Sequence, residues 1–234
     1  MNLEFFGSDG DFFELAFLNS NTGDFSPNIL SSQSNRIVIS NPSTGYQSTA
    51  NGTGFDLSTT PASGTITSIE VRDSGQRLVA NLTGISWGLQ TFSDAVDDYF
   101  DGNAAPLGAL LSQSALTIDA GHSIFGANFD LPDVSSNITF IGSPLEDRLG
   151  GGSGDDHFTP GQSDDGEQLR GSPGNDVYDF TNIPASTWVD LSYSRLGSEI
   201  TLNLNEAANT ATVNKGPNGT DTILNPRGIM LADG

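Results

Sequence analysis

Four nonapeptides follow one another between residues 142 and 179: GSPLEDRLG (142–150), GGSGDDHFT (151–159), QSDDGEQLR (162–170) and GSPGNDVYD (171–179). The dipeptide Pro160-Gly161 is inserted before the third repeat. The sixth position of every repeat is acidic, and the eighth is apolar or aromatic. In chain order, the sixth positions are Asp147, Asp156, Glu167 and Asp176, and the eighth are Leu149, Phe158, Leu169 and Tyr178. The eighth-position series extends backward to Phe140 and Leu131.

This spacing predicts stacked turns with a buried ladder. Glycines at positions one and four permit a tight loop with positive φ, and a lone apolar residue at position eight fits a short strand whose side chain points inward. Acidic side chains at position six would line up when the loops stack. Stacked carboxylates repel each other unless a cation lies between them, and oxygen ligands favour Ca²⁺ over transition metals.

The second repeat matches the pattern GGxGxDxUx at every fixed position, and the fourth lacks only the second glycine. These repeats resemble the RTX, or haemolysin-type calcium-binding, nonapeptide. A fifth match, GPNGTDTIL (216–224), lies apart. Segments 188–224 and 64–86 are similar to modules that accompany such arrays in bacterial proteins. The resemblance implies a parallel β-roll in which two nonapeptides form one coil and Ca²⁺ lies between loops on the same side.

The resemblance also implies which residues hold the metal. The second repeat should stack on the fourth, with Asp156 and Asp176 as side-chain ligands and with backbone carbonyls completing the site. The predicted carbonyl ligands are Gly151, Ser153, Gly171 and Pro173, and Asp155 and Asn175 lie in the same loops. Asp147 and Glu167 would form a second site between the first and third repeats, although Leu145 and Asp165 replace its position-four glycines. The alternative interpretation is that these loops are Gly/Asp-rich turns that bind nothing.

Composition excludes several partners. Lys and Arg total 8 against 29 Asp and Glu, which gives a net charge of −21 over 234 residues. Because phosphate binding needs clustered basic residues, we expect no nucleic acid and no anionic membrane surface as partner. Lys215 is the one lysine. There is no cysteine for a disulfide or a thiolate site, and no apolar run is long enough for a membrane span.

The rest of the sequence predicts a mainly β structure. We expect a strand-rich region over 1–114, a β-roll over 115–182 and a C-terminal β region over 183–234. Two strands are predicted within residues 2–18, with Phe13, Leu15 and Phe17 on one face. Further strands are predicted at 36–40, 65–72 and 77–82, the last two as a hairpin, and a short helical hairpin near 89–112.

The sequence leaves three functions open. The first is a secreted calcium-binding β-roll with a structural, adhesive or surface-layer role and a partner that is a cell surface or another copy of the chain. The second is a non-catalytic piece of a larger secreted RTX enzyme or adhesin. The third is a serine hydrolase that uses Ser86 of the GISWG segment with His122 as base; we expect no enzyme. The N-terminus lacks signal-peptide features, and the resemblance implies type I secretion with folding on external calcium.

Overall fold

A computed structural model of the chain describes residues 1–8, 12–17, 26–184, 186–226 and 229–232. The chain divides into two compact units, Met1–Leu110 and Leu111–Gly234. Both are built mainly from strands, as the sequence predicts.

The first unit is an antiparallel sheet with three helices. Its strands run in the order β1-β6-β5-β4-β3-β2, and Ile66, Val79, Trp87 and Val96 are fully buried in its core. The elements are β1 (Asn2–Phe5), α1 (Phe12–Phe17), β2 (Asn28–Gln33), β3 (Arg36–Ser40), β4 (Gln47–Asp56), β5 (Ser63–Arg72), β6 (Leu78–Gly88), α2 (Leu89–Phe100) and α3 (Ala105–Leu111).

Most predicted elements of this unit are present. The strand at 36–40, the hairpin formed by β5 and β6, and the helical hairpin of α2 and α3 are confirmed. The second predicted strand near the N-terminus is wrong, because residues 12–17 form helix α1. Residues four apart lie on one helical face, and the rings of Phe13 and Phe17 lie 4.9 Å apart there. Phe13 also packs against Tyr99 of α2, at 5.1 Å. The turn at Gly7-Ser8-Asp9-Gly10 that would join the two predicted strands falls partly outside the described residues.

The second unit is a parallel β-solenoid. The chain alternates between two parallel stacks, so each pair of strands forms one turn. One stack holds β7 (Leu116–Asp119), β9 (Ile138–Ile141), β11 (His157–Thr159), β13 (Val177–Asp179) and β17 (Thr220–Leu224). The other holds β8 (Asn128–Asp130), β10 (Arg148–Gly150), β12 (Glu167–Arg170), β14 (Val189–Ser192) and β18 (Ile229–Ala232). An antiparallel hairpin of β15 (Thr201–Asn205) and β16 (Thr210–Asn214), followed by a 3₁₀ turn at Gly216–Asn218, is inserted before β17.

The register confirms the predicted stacking of alternate repeats. Phe158 of the second repeat pairs with Tyr178 of the fourth, and Leu149 of the first pairs with Leu169 of the third. All four side chains are at most 2% exposed. Phe140 extends the aromatic column, in which consecutive ring centroids lie 4.8 and 4.7 Å apart with interplanar angles of 12° and 8°.

The backward extension of this ladder to Leu131 is wrong. Phe129, not Leu131, pairs with Leu149 and is buried. Leu131 lies just beyond the end of β8, where its N–H donates to the carbonyl oxygen of Gly150. The loop between β8 and β9 is therefore two residues longer than a nonapeptide allows, like the loop that carries Pro160-Gly161.

Candidate metal centre

The acidic residues at position six are buried and stacked in the same two columns as the strands that follow them. The outlying repeat contributes its own position-six residue to the first column, because β17 pairs with β13. Five carboxylates are each at most 1% exposed: Asp156, Asp176 and Asp221 in one column, and Asp147 and Glu167 in the other.

In the first column, each carboxylate accepts a hydrogen bond from the neighbouring turn. The N–H of Ile138 donates to Oδ1 of Asp156 at 2.8 Å. The N–H of Asp156 donates to Oδ1 of Asp176 at 3.0 Å, and that of Asp176 donates to Oδ1 of Asp221 at 2.9 Å. The repeat period thus places every position-six side chain against the backbone of the same position one turn earlier.

The second column follows the same rule. The N–H of Ala127 donates to Oδ1 of Asp147 at 2.7 Å, and the N–H of Asp147 donates to Oε2 of Glu167 at 3.0 Å. Oε1 of Glu167 is buried and accepts no well-formed hydrogen bond, although the backbone of Ser163 lies close enough to lower the pKa of this carboxyl. A buried carboxylate oxygen without a well-formed hydrogen bond is costly, so this atom points to a missing proton or cation.

The loops of the first and second repeats also close on their own carboxylates through the second residue of the nonapeptide. The N–H of Ser143 donates to Oδ2 of Asp147 at 2.8 Å, and the N–H of Gly152 donates to Oδ2 of Asp156 at 2.9 Å. The Ser143 hydroxyl adds a bond to Oδ1 of Asp147 at 2.6 Å. These bonds account for the burial of Ser143 and Gly152 at position two.

The position-four glycines let successive loops stack backbone on backbone. A Cβ on Gly174 would lie 2.1 Å from the carbonyl oxygen of Gly154, and one on Gly219 would lie 2.2 Å from that of Gly174. The φ angles of Gly174 and Gly219 are +111° and +102°, a region that favours glycine. The outlying repeat therefore stacks on the fourth repeat as the fourth stacks on the second.

Lys215 is the one buried basic side chain among the described residues, and it is 0% exposed. Its ammonium donates to the carbonyl oxygen of Ser172 at 2.5 Å and to Oδ2 of Asp176 at 3.1 Å. It also forms an ion pair with Oδ1 of Asp221. The Tyr193 hydroxyl donates to the other oxygen of Asp221 at 2.8 Å.

Burial raises the pKa of every one of these carboxyl groups. It raises the pKa of Glu167 to about 9 and that of Asp156 to about 7, with further contributions from the charges of Asp147 and Asp176 respectively. Burial likewise raises the pKa of Asp147 and of Asp221 to about 6. The pKa of Asp176 is raised in the same direction, again mainly by burial. The charged forms are thus disfavoured as the residues stand.

The donor set fits calcium. A carboxylate offers about four lone-pair sites, so one N–H bond to each oxygen leaves further acceptor capacity. Among the described residues, no three acidic or histidine side chains converge on one point in a metal-binding arrangement. A cation here would therefore bind two carboxylates together with backbone carbonyls, which suits Ca²⁺ rather than Zn²⁺.

The structure separates the predicted ligands into two layers. Six of the ten are buried in the stacked loops, and the other four lie on the surface. The buried ligands are Gly151, Asp156, Gly171, Asp176, Asp147 and Glu167, and the exposed ones are Ser153, Asp155, Pro173 and Asn175. Oδ1 of Asp155 accepts bonds from the backbone N–H and the side-chain amide of Asn175, at 2.7 and 3.2 Å. This exposed pair ties the two loops together outside the buried column.

Sequence reasoning missed the contacts of Lys215 and the capping role of position two. The signal for the first was available, since the one lysine of the chain directly precedes the outlying repeat. Pairing it with Asp176, 39 residues earlier, required knowing that this repeat stacks on the fourth.

The GISWG segment lies in and at the end of strand β6. Ser86 is exposed two residues before the end of this strand, and α2 begins only at Leu89. A nucleophile elbow places its serine on the turn itself, so this geometry differs from one. His122 is an exposed residue of the second unit.

Comparisons with known proteins give no relative for this chain. No protein family, no curated protein and no solved structure matches it. Within the described ranges, no helix has the length and apolar character needed to cross a membrane.

Proposed function

We propose that this chain is a non-catalytic, calcium-binding β-solenoid of the RTX type that folds on external Ca²⁺ and acts as a structural or adhesive module. The observation that carries the proposal is the charge of the buried columns. Five buried carboxylates face a single buried cation among the described residues. Burying unpaired carboxylates is expensive, and a divalent cation would offset two of them at a time.

In two gaps between turns, the described residues place no basic side chain between the carboxylates. One lies between Asp156 and Asp176, and the other between Asp147 and Glu167, where Oε1 of Glu167 accepts no well-formed hydrogen bond. Both join repeats of the predicted calcium-binding pattern. The Ca²⁺ proposed at each gap supplies positive charge to the adjoining carboxylates and holds neighbouring turns together.

The proposed location follows from the affinity expected of such sites. Extracellular calcium modules work at roughly 10⁻⁴–10⁻³ M, above the free Ca²⁺ of a cytosol. The resemblance to RTX proteins adds a route, type I secretion of the unfolded chain. We therefore place the folded protein outside the cell or at its surface.

The exposed edge strands support a structural or adhesive role. Ile29 and Leu30 of β2 are 58% and 53% exposed, and Leu202 and Leu204 of β15 are 42% and 62% exposed. Each of these strands ends its sheet and contains no charged residue. Uncharged, apolar sheet edges favour association with another chain, which is the type of partner we propose.

Calcium titration of thermal or urea unfolding tests the proposal. With a Kd of 10⁻⁴–10⁻³ M, 10 mM Ca²⁺ should stabilise the protein by roughly 1.4–2.7 kcal/mol per ion, and a chelator should remove this gain. The double variant Asp156→Asn, Asp176→Asn should lose the share that belongs to its gap. Glu199→Gln with Glu206→Gln is the matched control, because both side chains are exposed and the change in charge is the same.

A wild-type protein whose stability does not change with Ca²⁺ would refute calcium binding. A full calcium response in the Asp156, Asp176 double variant would instead refute only the ligand assignment. Mass spectrometry of culture medium and cell extract from the native host tests the location, and intact protein found only in the extract would contradict it.

A further inference from the structure

We infer that Lys215 is a tethered cation that fills the gap between the fourth repeat and the outlying repeat, the position equivalent to the calcium site proposed one turn earlier. Only the comparison with that earlier site rests on the proposed function. The contacts of the lysine stand on their own.

The two gaps are equivalent by register. Asp221 aligns with Asp176 as Asp176 aligns with Asp156, and in each gap the N–H of the earlier residue donates to Oδ1 of the later one. In both gaps the position-four glycine lies against the previous loop, since an added Cβ would come within 2.1 Å of its carbonyl oxygen in the earlier gap and 2.2 Å in the later one. The difference is that an ammonium lies in the later gap.

The ammonium is fully satisfied where it lies. It has three N–H donors and three acceptors, one backbone carbonyl (Ser172) and one oxygen from each flanking carboxylate, Asp176 and Asp221. The lysine backbone is fixed as well, since its N–H donates to the carbonyl oxygen of Gly219 at 2.9 Å. Its own carbonyl accepts a bond from the hydroxyl of Ser198 at 3.2 Å.

This arrangement explains the insertion of β15 and β16. The hairpin separates the fourth repeat from the outlying one and ends at Asn214, so the chain re-enters the solenoid at Lys215. One turn earlier, the residue at the equivalent position is Arg170, directly before the fourth repeat, and its exposed side chain pairs with Asp130 instead. The inserted hairpin thus ends next to a lysine that is buried in the last gap, which closes without metal.

The contacts of Lys215 also identify the oxygens that surround a cation in this fold. They belong to position two (carbonyl) and position six (Oδ2) of one loop, and to position six (Oδ1) of the next. One turn earlier, the equivalent atoms are the carbonyl oxygen of Gly152, Oδ2 of Asp156 and Oδ1 of Asp176. Position two therefore joins positions one and three as a source of carbonyl ligands.

The variant Lys215→Met tests the inference in the 234-residue chain. It keeps the aliphatic stem but leaves Asp176 and Asp221 without a cation. Calcium binding is counted by equilibrium dialysis, and unfolding is followed in chelator and in 10 mM Ca²⁺. Arg36→Met is the matched control, because it removes one positive charge from an exposed site on β3.

We expect Lys215→Met to bind one more Ca²⁺ per chain than the wild type and to show a larger difference in stability between calcium and chelator. The additional change Asp221→Asn should abolish the extra ion. Equal ion counts in wild type and Lys215→Met would overturn the inference, as would a variant that remains unfolded in calcium. A wild type without any calcium response, next to a Lys215→Met protein that gains one, would refute the proposed function and leave this inference standing.

Discussion

Replacing Glu167 by Gln should stabilise the calcium-free protein at neutral and alkaline pH. Glu167 is fully buried, its Oε1 accepts no well-formed hydrogen bond, and no basic side chain among the described residues is buried in its column. A carboxamide can still accept the N–H of Asp147 through its oxygen. The substitution removes an ionisable group that burial disfavours, at nearly constant volume.

The sign and size follow from the pKa of Glu167, which burial raises from 4.5 to about 9. The folded state then holds a proton that the unfolded state releases, so stability is lost as the pH rises from 4.5 to about 9. Between pH 4.5 and pH 8, about 3.5 pH units at about 1.4 kcal/mol each give a loss of about 5 kcal/mol. An unpaired amide NH₂ in the variant costs about 1–3 kcal/mol, which leaves a net gain of about 2–4 kcal/mol at pH 8.

Urea unfolding of wild type and Glu167→Gln, in chelator at pH 4.5 and pH 8, measures this directly. We expect the variant to be equal or less stable at the lower pH and more stable at the higher. In 10 mM Ca²⁺ at pH 8 the wild type should gain stability relative to the variant, because the proposed ion binds the carboxylate of Glu167. A variant that is less stable than the wild type at pH 8 in chelator would refute the reasoning.

Two further substitutions test the stacked architecture by urea unfolding. Phe158→Ala should cost about 3–5 kcal/mol, because the ring is 0% exposed and stacked on Phe140 and Tyr178; a loss below about 1 kcal/mol would contradict a packed aromatic column. Gly174→Ala should lower the free energy of unfolding by more than about 3 kcal/mol, because it adds a backbone clash to the strain of a φ of +111°. The control is Gly102→Ala, where φ is +90° and the space around the glycine is open. It should show only the cost of the backbone conformation, about 1–3 kcal/mol. Equal losses for the two glycines would show that loop stacking does not limit position 174.

The repeat period made the solenoid predictable. A fixed spacing determines which residues of successive turns align, so the pairing of Phe158 with Tyr178 and of Leu149 with Leu169 follows from counting alone. Counting failed at Leu131, where the β8–β9 loop is longer than a nonapeptide and no glycine pattern marks the insertion. Repeat arithmetic is reliable only where the loop motif itself is present.

The N-terminal segment shows a different limit. Phe13, Leu15 and Phe17 alternate as in a strand, but Phe13 and Phe17 are also four residues apart, as on one face of a helix. In so short a stretch the two periods cannot be told apart. The aromatic side chains of α2, which lie more than 70 residues away in sequence, supply the packing surface that favours the helix.

The repeats predicted that acidic side chains would line up, but not how the protein stabilises them. Backbone N–H groups of neighbouring turns and the position-two residues hold the carboxylates in place, a device that no side-chain pattern reveals. These bonds fix the geometry, yet their donors are neutral and leave the charge uncompensated.

The two columns differ in whether a buried basic side chain compensates the charge of the carboxylates. The column of Asp156, Asp176 and Asp221 contains Lys215, whereas the column of Asp147 and Glu167 contains no buried base among the described residues. In the second column, burial raises the pKa of Glu167 to about 9. Added positive charge should stabilise the solenoid most where the described residues bury no basic side chain. Calcium should therefore change the stability of the Asp147–Glu167 turns most and that of the turns joined by Lys215 least.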